Sequence, residues 1–147
     1  MGTKNFRLER GKAMKGNLYV LEIETDQHQE FVEITEKVQK KVQESNVSEG
    51  IALVYCPHTT AGITINENAD PDVVWDMVDA FNSTFPVQSN YKHFEGNSHA
   101  HIKSSVLGNE KSLIITDGKL LLGRWQGIYF CEFDGPRKRK IYIKIFN

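Results

Sequence analysis

The chain has 147 residues, of which 39% are hydrophobic and 25% charged, and a formal net charge of −1. That length suits one domain with a true core, in which roughly two-thirds of the unfolded surface is buried. A charge so close to zero excludes a protein that coats its whole surface with positive charge to meet nucleic acid or membrane, and no apolar run reaches the ~20 residues that span a bilayer.

The first residues carry no apolar stretch, so no signal peptide is expected, and Met1-Gly2 is not followed by the Ser or Thr at position six that myristoylation requires. From Asn17 to Glu24, Leu18 and Val20 alternate with Tyr19, Leu21 and Ile23, the period of a strand with a buried face. Residues 3–9 are expected to pair with it. Thr35 reads as a helix N-cap, with Val38 and Val42 inward and Lys37, Lys40, Lys41 and Glu44 outward. The run Ile51-Ala52-Leu53-Val54 has no polar alternation and predicts a central strand covered on both faces. Ile63 and Ile65 alternate with Thr64 and Asn66, which predicts a second, half-buried strand. Asp70-Pro71 is a strong helix start, followed by an apolar stripe of Val74, Met77, Val78 and Phe81. Residues 83–97 read as a loop too long to be idle. Ser98 caps a short helix that ends at Gly108, with Ile102, Val106 and Leu107 expected to face the core.

The last third reads as β: a strand at 112–116, a tight turn at Asp117-Gly118, a strand at 128–133, a turn at Asp134-Gly135-Pro136, and a final strand with Ile141, Ile143 and Ile145 inward. Cys56 and Cys131 both lie in apolar runs and read as buried free thiols of a reducing cytoplasm. The expected fold is α+β: a single compact domain over 1–147, mostly antiparallel β-sheet packed with two or three helices.

Polar chemistry concentrates between the buried run and the Asp70 helix, where His58, Thr59, Thr60, Thr64, Asn66 and Glu67 stand together. Such strand ends are where ligands are usually placed; the plainer reading is a turn whose threonines cap backbone groups. Glu67 is the best single carboxylate for acid–base work or a magnesium contact. His99 and His101 diverge by about 200° on a helix, so they do not chelate together. His101 is instead placed to meet His58 or His93, and three histidines from separate segments can hold zinc with one position open. Gly96-Asn97-Ser98 offers helix-start amides to an anion. In the run Arg137-Lys138-Arg139-Lys140, the arginines suit bidentate phosphate binding, although such a run also guards a strand edge. Trp125-Gln126, between two glycines, supplies either a core indole or a lid on a planar ligand. No P-loop, dinucleotide fingerprint or nucleophile elbow is present.

Five motifs occur in order: His58-Thr59-Thr60-Ala61-Gly62-Ile63-Thr64-Ile65-Asn66-Glu67-Asn68-Ala69-Asp70-Pro71, with Asp76 after it; Tyr91-Lys92-His93-Phe94-Glu95-Gly96-Asn97; Ala100-His101-Ile102-Lys103-Ser104; Gly118-Lys119-Leu120-Leu121-Leu122-Gly123-Arg124-Trp125-Gln126; and Glu132-Phe133-Asp134-Gly135-Pro136-Arg137. Together they resemble the YjbQ (UPF0047) family, also called the secondary thiamine-phosphate synthase family, from about Phe6 to the C-terminus. The resemblance implies a cytoplasmic homotrimer of compact α+β subunits that binds a small phosphorylated molecule and neither nucleic acid nor membrane. It implies a transferase that joins a hydroxymethylpyrimidine diphosphate to a thiazole phosphate and releases pyrophosphate, as a weak activity beside another role. In that frame His58, Glu67 and His101 are catalytic, and Thr59, Thr60, Asn66, His93, Asn97, Trp125, Gln126, Arg137 and Arg139 bind substrate. Mg2+ is the expected cofactor, with Zn2+ at His58, His93 and His101 as a further candidate. Pyrophosphate departure needs charge neutralisation, yet no carboxylate cluster for Mg-pyrophosphate stands out. Arg124 occupies a position that is often small in the family, and no role attaches to His99. The alternative is a non-catalytic trimeric protein that binds a phosphorylated metabolite or a metal ion through the same pocket.

Overall fold

The computed structural model describes residues 16–88 and 90–147; the expected strand at 3–9 lies outside them. Eight strands and three helices follow in the order β1 (Leu18–Glu24), β2 (Glu30–Glu33), α1 (Thr35–Ser45), β3 (Gly50–Tyr55), β4 (Ala61–Glu67), α2 (Pro71–Thr84), α3 (Ser98–Leu107), β5 (Glu110–Thr116), β6 (Lys119–Leu120), β7 (Gln126–Glu132) and β8 (Lys138–Phe146). They make a five-stranded sheet, β1-β8-β3-β5-β6, and a three-stranded sheet, β2-β7-β4. Every pairing is antiparallel. The fold is the α+β domain expected. None of the described helices is long and apolar enough to cross a membrane.

The core lies between the two sheets. The larger sheet contributes Val54, Ile115, Ile141 and Ile143; the smaller contributes Ile63, Ile128 and Phe130; Ile34, Val38 and Val42 of the α1 region close the edge. A second cluster, Tyr129, Cys131 and Phe133 with Ala100 of α3, fills the other face of the small sheet. Strand β7 is therefore buried on both faces, because its alternate side chains serve different clusters. Both cysteines are buried and free.

Local chemistry explains most of the boundaries. The Asp70 side chain accepts from the Asp72 amide at 2.9 Å and Pro71 takes the first helical position. Asp117 and Gly118 both take positive φ, 51° and 72°, which closes the β5–β6 hairpin tightly. In β8 the alternation holds throughout, with Arg139, Ile141, Ile143 and Ile145 buried and Lys138 and Lys140 exposed.

Four expectations are corrected. Ser98 does not cap α3 but begins it, with Asn97 at the cap position. Thr35 does not cap α1 but begins it; its hydroxyl donates to Glu33 Oε1 at 3.0 Å and accepts the Ile128 amide at 2.9 Å, so the small sheet captures it. β3 is central in its sheet, yet it is covered on one face only: Ala52 and Val54 are buried while Ile51 and Tyr55 are exposed. α3 buries His99, Ala100, Lys103 and Ser104 and leaves Val106 exposed. Its polar side turns inward because hydrogen-bond acceptors wait there: Ser104 Oγ donates to Ala61 O at 2.6 Å, and Lys103 finds three partners. The α3–β4 packing is close enough that a Cβ on Gly62 would meet Gly108 O at 2.6 Å.

Candidate functional site

A polar cleft of ≈ 540 Å³ opens where β3 has ended, β4 has not begun, α3 starts and the β7–β8 turn passes. Its walls include His58, Thr59 and Thr60 from the β3–β4 connection, Asn97 and His101 from the start of α3, and Arg137 from the turn. Pro57, Glu95, Asp134 and Arg139 complete it. Eight of these residues fall in four of the five sequence motifs, and the fold joins them.

His58 sits where β3 leaves the sheet and Lys140 of β8 loses its strand partner on that side. Its Nε2 lies 3.0 Å from both the amide nitrogen and the carbonyl oxygen of Lys140. An unprotonated Nε2 accepts a hydrogen bond from the amide N–H, whereas a protonated one donates to the carbonyl. Burial first, and then the Arg139 guanidinium, push the His58 pKa below its usual value. His58 is thus a neutral imidazole at pH 7 with one nitrogen committed to the backbone. The ring of His101, also of this cleft, meets that of His93 edge to face with centroids 5.6 Å apart; His93 does not itself line the cleft, and its Nε2 stands 3.8 Å from Glu95.

The two arginines differ. Arg139 is buried and its guanidinium is spent internally: Nε and Nη2 grip Glu132 at 2.7 and 2.9 Å, and Nη2 also donates to Thr60 Oγ1 at 2.8 Å. Arg137 is half-exposed and leans on Asp134, through the backbone oxygen at 2.8 Å and the carboxylate at 3.0 Å. The same Asp134 Oδ2 accepts from Asn97 Nδ2 at 2.9 Å. Because a carboxylate only accepts, this bond fixes the Asn97 amide orientation; its Oδ1 is buried and has no partner among the described residues. Asn97 makes no side-chain cap on α3.

A second group of expected site residues lies elsewhere. Glu67 pairs with Gln126 in the β4–β7 register, at the opposite end of β4 from Ala61. Seven residues of strand separate the two ends by roughly 20 Å. Asn66 Oδ1 turns back to the Glu67 amide at 2.7 Å, Gln126 Oε1 holds the Gly123 amide at 2.8 Å, and Trp125 is exposed with Arg124 stacked 4.8 Å over its ring. Within one chain, then, His58, Thr59, Thr60, Asn97, His101, Arg137 and Arg139 converge; Asn66, Glu67, Trp125 and Gln126 do not join them. Among the described residues no three His, Cys, Asp or Glu side chains gather as a metal-binding group.

Residues 19–147 match the family model described as UPF0047 protein YjbQ-like. The chain belongs to this family. The UPF0047 protein YugU of Bacillus subtilis is 53% identical over 131 residues, covering 88% of this chain and 99% of the relative. A UPF0047 protein of Methanocaldococcus jannaschii is likewise 53% identical, over 88% of this chain and 94% of its own. A crystal structure of a YjbQ/UPF0047 protein from Clostridium acetobutylicum superposes with a TM-score of 0.86 at 56% identity, covering 87% of this chain and 99% of that one. A Sulfolobus solfataricus relative at 32% identity gives 0.84, over 87% and 94% of the two chains. The UPF0047 fold is therefore kept in the solved relatives across a wide span of identity.

Sequence reasoning gave no role to Asp134, Glu95, Glu132 or Lys103. Asp134 had a visible signal, since it stands in the same motif as Arg137, but an Asp before Gly-Pro reads first as a turn residue. Lys103 had none: a lysine on a short helix reads as solvent-facing.

Proposed function

We propose that this protein is a thiamine-phosphate synthase-like transferase that acts, as one of its activities, on a pyrimidine diphosphate and a thiazole phosphate. The supporting observation is the convergence of His58, His101, Asn97 and Arg137 on one polar cleft. The reaction forms a bond from the thiazole nitrogen to the pyrimidine methylene carbon, and the bond to pyrophosphate breaks with its electron pair. The protein's task is to hold the diphosphate and stabilise the charge that develops on it. His101 and the exposed edge of Arg137 face the anion, and neutral His58 supplies its free Nδ1 as a hydrogen-bonding group.

Arg139 is cancelled by Glu132 and Arg137 by Asp134, so a diphosphate needs further positive charge. Asp134, Glu95 and the Oδ1 of Asn97, which has no partner among the described residues, are hard oxygen donors that suit Mg2+. Bound there, the ion would neutralise the leaving group. The homotrimer expected for the family fits the split of the motifs, since a second copy can bring its Glu67, Trp125 and Gln126 toward this cleft. Two free buried thiols support a cytoplasmic setting.

Mass-spectrometric detection of thiamine phosphate, with both substrates and magnesium, tests the reading. Product is expected from the wild type and none from His101→Ala at an unchanged thermal midpoint. A folded wild type that makes no product would overturn it. The internal commitment of Arg139 and of His58 Nε2 favours, as a second reading, a pocket that binds a phosphorylated ligand without turning it over. Ligand-induced stabilisation without product would support that reading.

A further inference from the structure

On the side of α3 away from His101, the Lys103 side chain is completely buried. Its ammonium donates to Asn82 Oδ1 at 2.7 Å, Gln29 Oε1 at 3.0 Å and His99 Nδ1 at 3.1 Å. Among the described residues it forms no ion pair. Burying an uncancelled charge costs several kcal/mol, and a methionine would fill the same space without that cost. What the ammonium does, and a methionine cannot, is bind three acceptors at once.

Those acceptors come from three elements. Asn82 is on α2, His99 is in the first turn of α3, and Gln29 is in the β1–β2 connection. That connection in turn grips the segment carrying Asp134 and Arg137. Thr25 Oγ1 accepts the Arg137 amide at 3.0 Å, the Thr25 amide donates to Arg137 O at 3.0 Å, and the Gly135 amide donates to His28 O at 2.9 Å. The fit leaves no space for a side chain at Gly135, where a Cβ would stand 2.8 Å from Thr25 Oγ1. One wall of the cleft, Asn97 and His101, thus hangs on the α3 first turn that Lys103 fixes. The other wall, Asp134 and Arg137, hangs on the connection that Lys103 also fixes.

We propose that Lys103 is a positioning residue: its buried ammonium sets the distance between the two walls, and so the Asn97–Asp134–Arg137 grip that receives an anionic ligand. The geometric part stands alone; the anion part rests on the proposed function.

The test uses Lys103→Met, the milder Asn82→Ala, and Val42→Ala as a control that weakens the core far from this network. Hydrogen exchange at the Gly135 and Arg137 amides is read by NMR, and the affinity for inorganic pyrophosphate with magnesium by calorimetry. Exchange at both amides is expected to quicken by about tenfold or more in Lys103→Met, less in Asn82→Ala, and not beyond the global change in Val42→Ala. Pyrophosphate binding should weaken in the same order. Unchanged exchange at Gly135 and Arg137 in a folded Lys103→Met would overturn the proposal, and if that variant does not fold, unchanged exchange in Asn82→Ala would do so. Absence of pyrophosphate binding in the wild type would instead count against the anion reading, and leave the exchange measurement to decide the positioning role.

Discussion

Arg139 and Lys103 are both buried cations beside the same cleft, and they are handled in opposite ways. Arg139 reaches from the larger sheet to Glu132 of the smaller one and its charge is cancelled by a bidentate carboxylate. Lys103 meets only neutral acceptors, and burial pushes its pKa down from 10.5 to about 8. A cancelled charge can be removed with its partner and little is lost. An uncancelled one is kept only where three hydrogen bonds to separate elements are needed. The first arrangement joins two sheets; the second joins α2, the first turn of α3 and the β1–β2 connection.

The largest expected effect comes from breaking the pair. Glu132→Leu leaves the Arg139 guanidinium buried without a counter-charge and should cost about 3–5 kcal/mol in urea unfolding. Adding Arg139→Met to it should restore most of that loss, because a buried pair replaced by apolar groups is near neutral; a double variant no more stable than Glu132→Leu would show that the comparison is wrong. Lys103→Met should cost less, about 1–3 kcal/mol, since it strands neutral acceptors and no charge. An equal or larger loss than for Glu132→Leu would reverse the ranking.

Smaller effects should appear in the pH dependence. The folded Lys103 pKa lies below its unfolded value, so the unfolded chain holds more protons between about 8 and 10.5, and stability from this group rises with pH across that window. Lys103→Met should flatten that slope in chemical-denaturation midpoints. For His58, the folded pKa is lowered beneath 6.5 by burial and Arg139. Its contribution is therefore present above about 6.5 and is lost as pH falls through the folded value. His58→Gln should reduce the acid-side decline, and an unaltered decline would assign it to other groups, among them His99, which burial and Lys103 also lower.

Much of the fold is legible in the sequence where the deciding interactions are local. The Asp70 cap, the Asp117-Gly118 turn and the alternation of β8 each follow from a few adjacent residues. The site was legible in part. His58, Asn97, His101 and Arg137 were picked out and do converge. Glu67 is the best single carboxylate in the sequence, but an extended strand carries it to the opposite end of β4 from the cleft. Arg139 reads as a phosphate ligand in the sequence because no local pattern reveals that Glu132 of the other sheet grips its Nε and Nη2. The inward face of α3 is legible only in part for a similar reason: Leu107 packs against the second cluster as expected, but the apolar Val106 is exposed and the polar His99 and Lys103 are inside.

By itself, then, the sequence determined the strand and helix periods, the turns between them and membership of the UPF0047 family, because each rests on short-range backbone chemistry or on motif order. Only the tertiary structure decided which polar groups are buried and what satisfies them. Lys103 meets Gln29 across 74 positions and Arg139 meets Thr60 across 79. Burying a charge is tolerable only when its partners are in place, and no local pattern says where such distant ones will be.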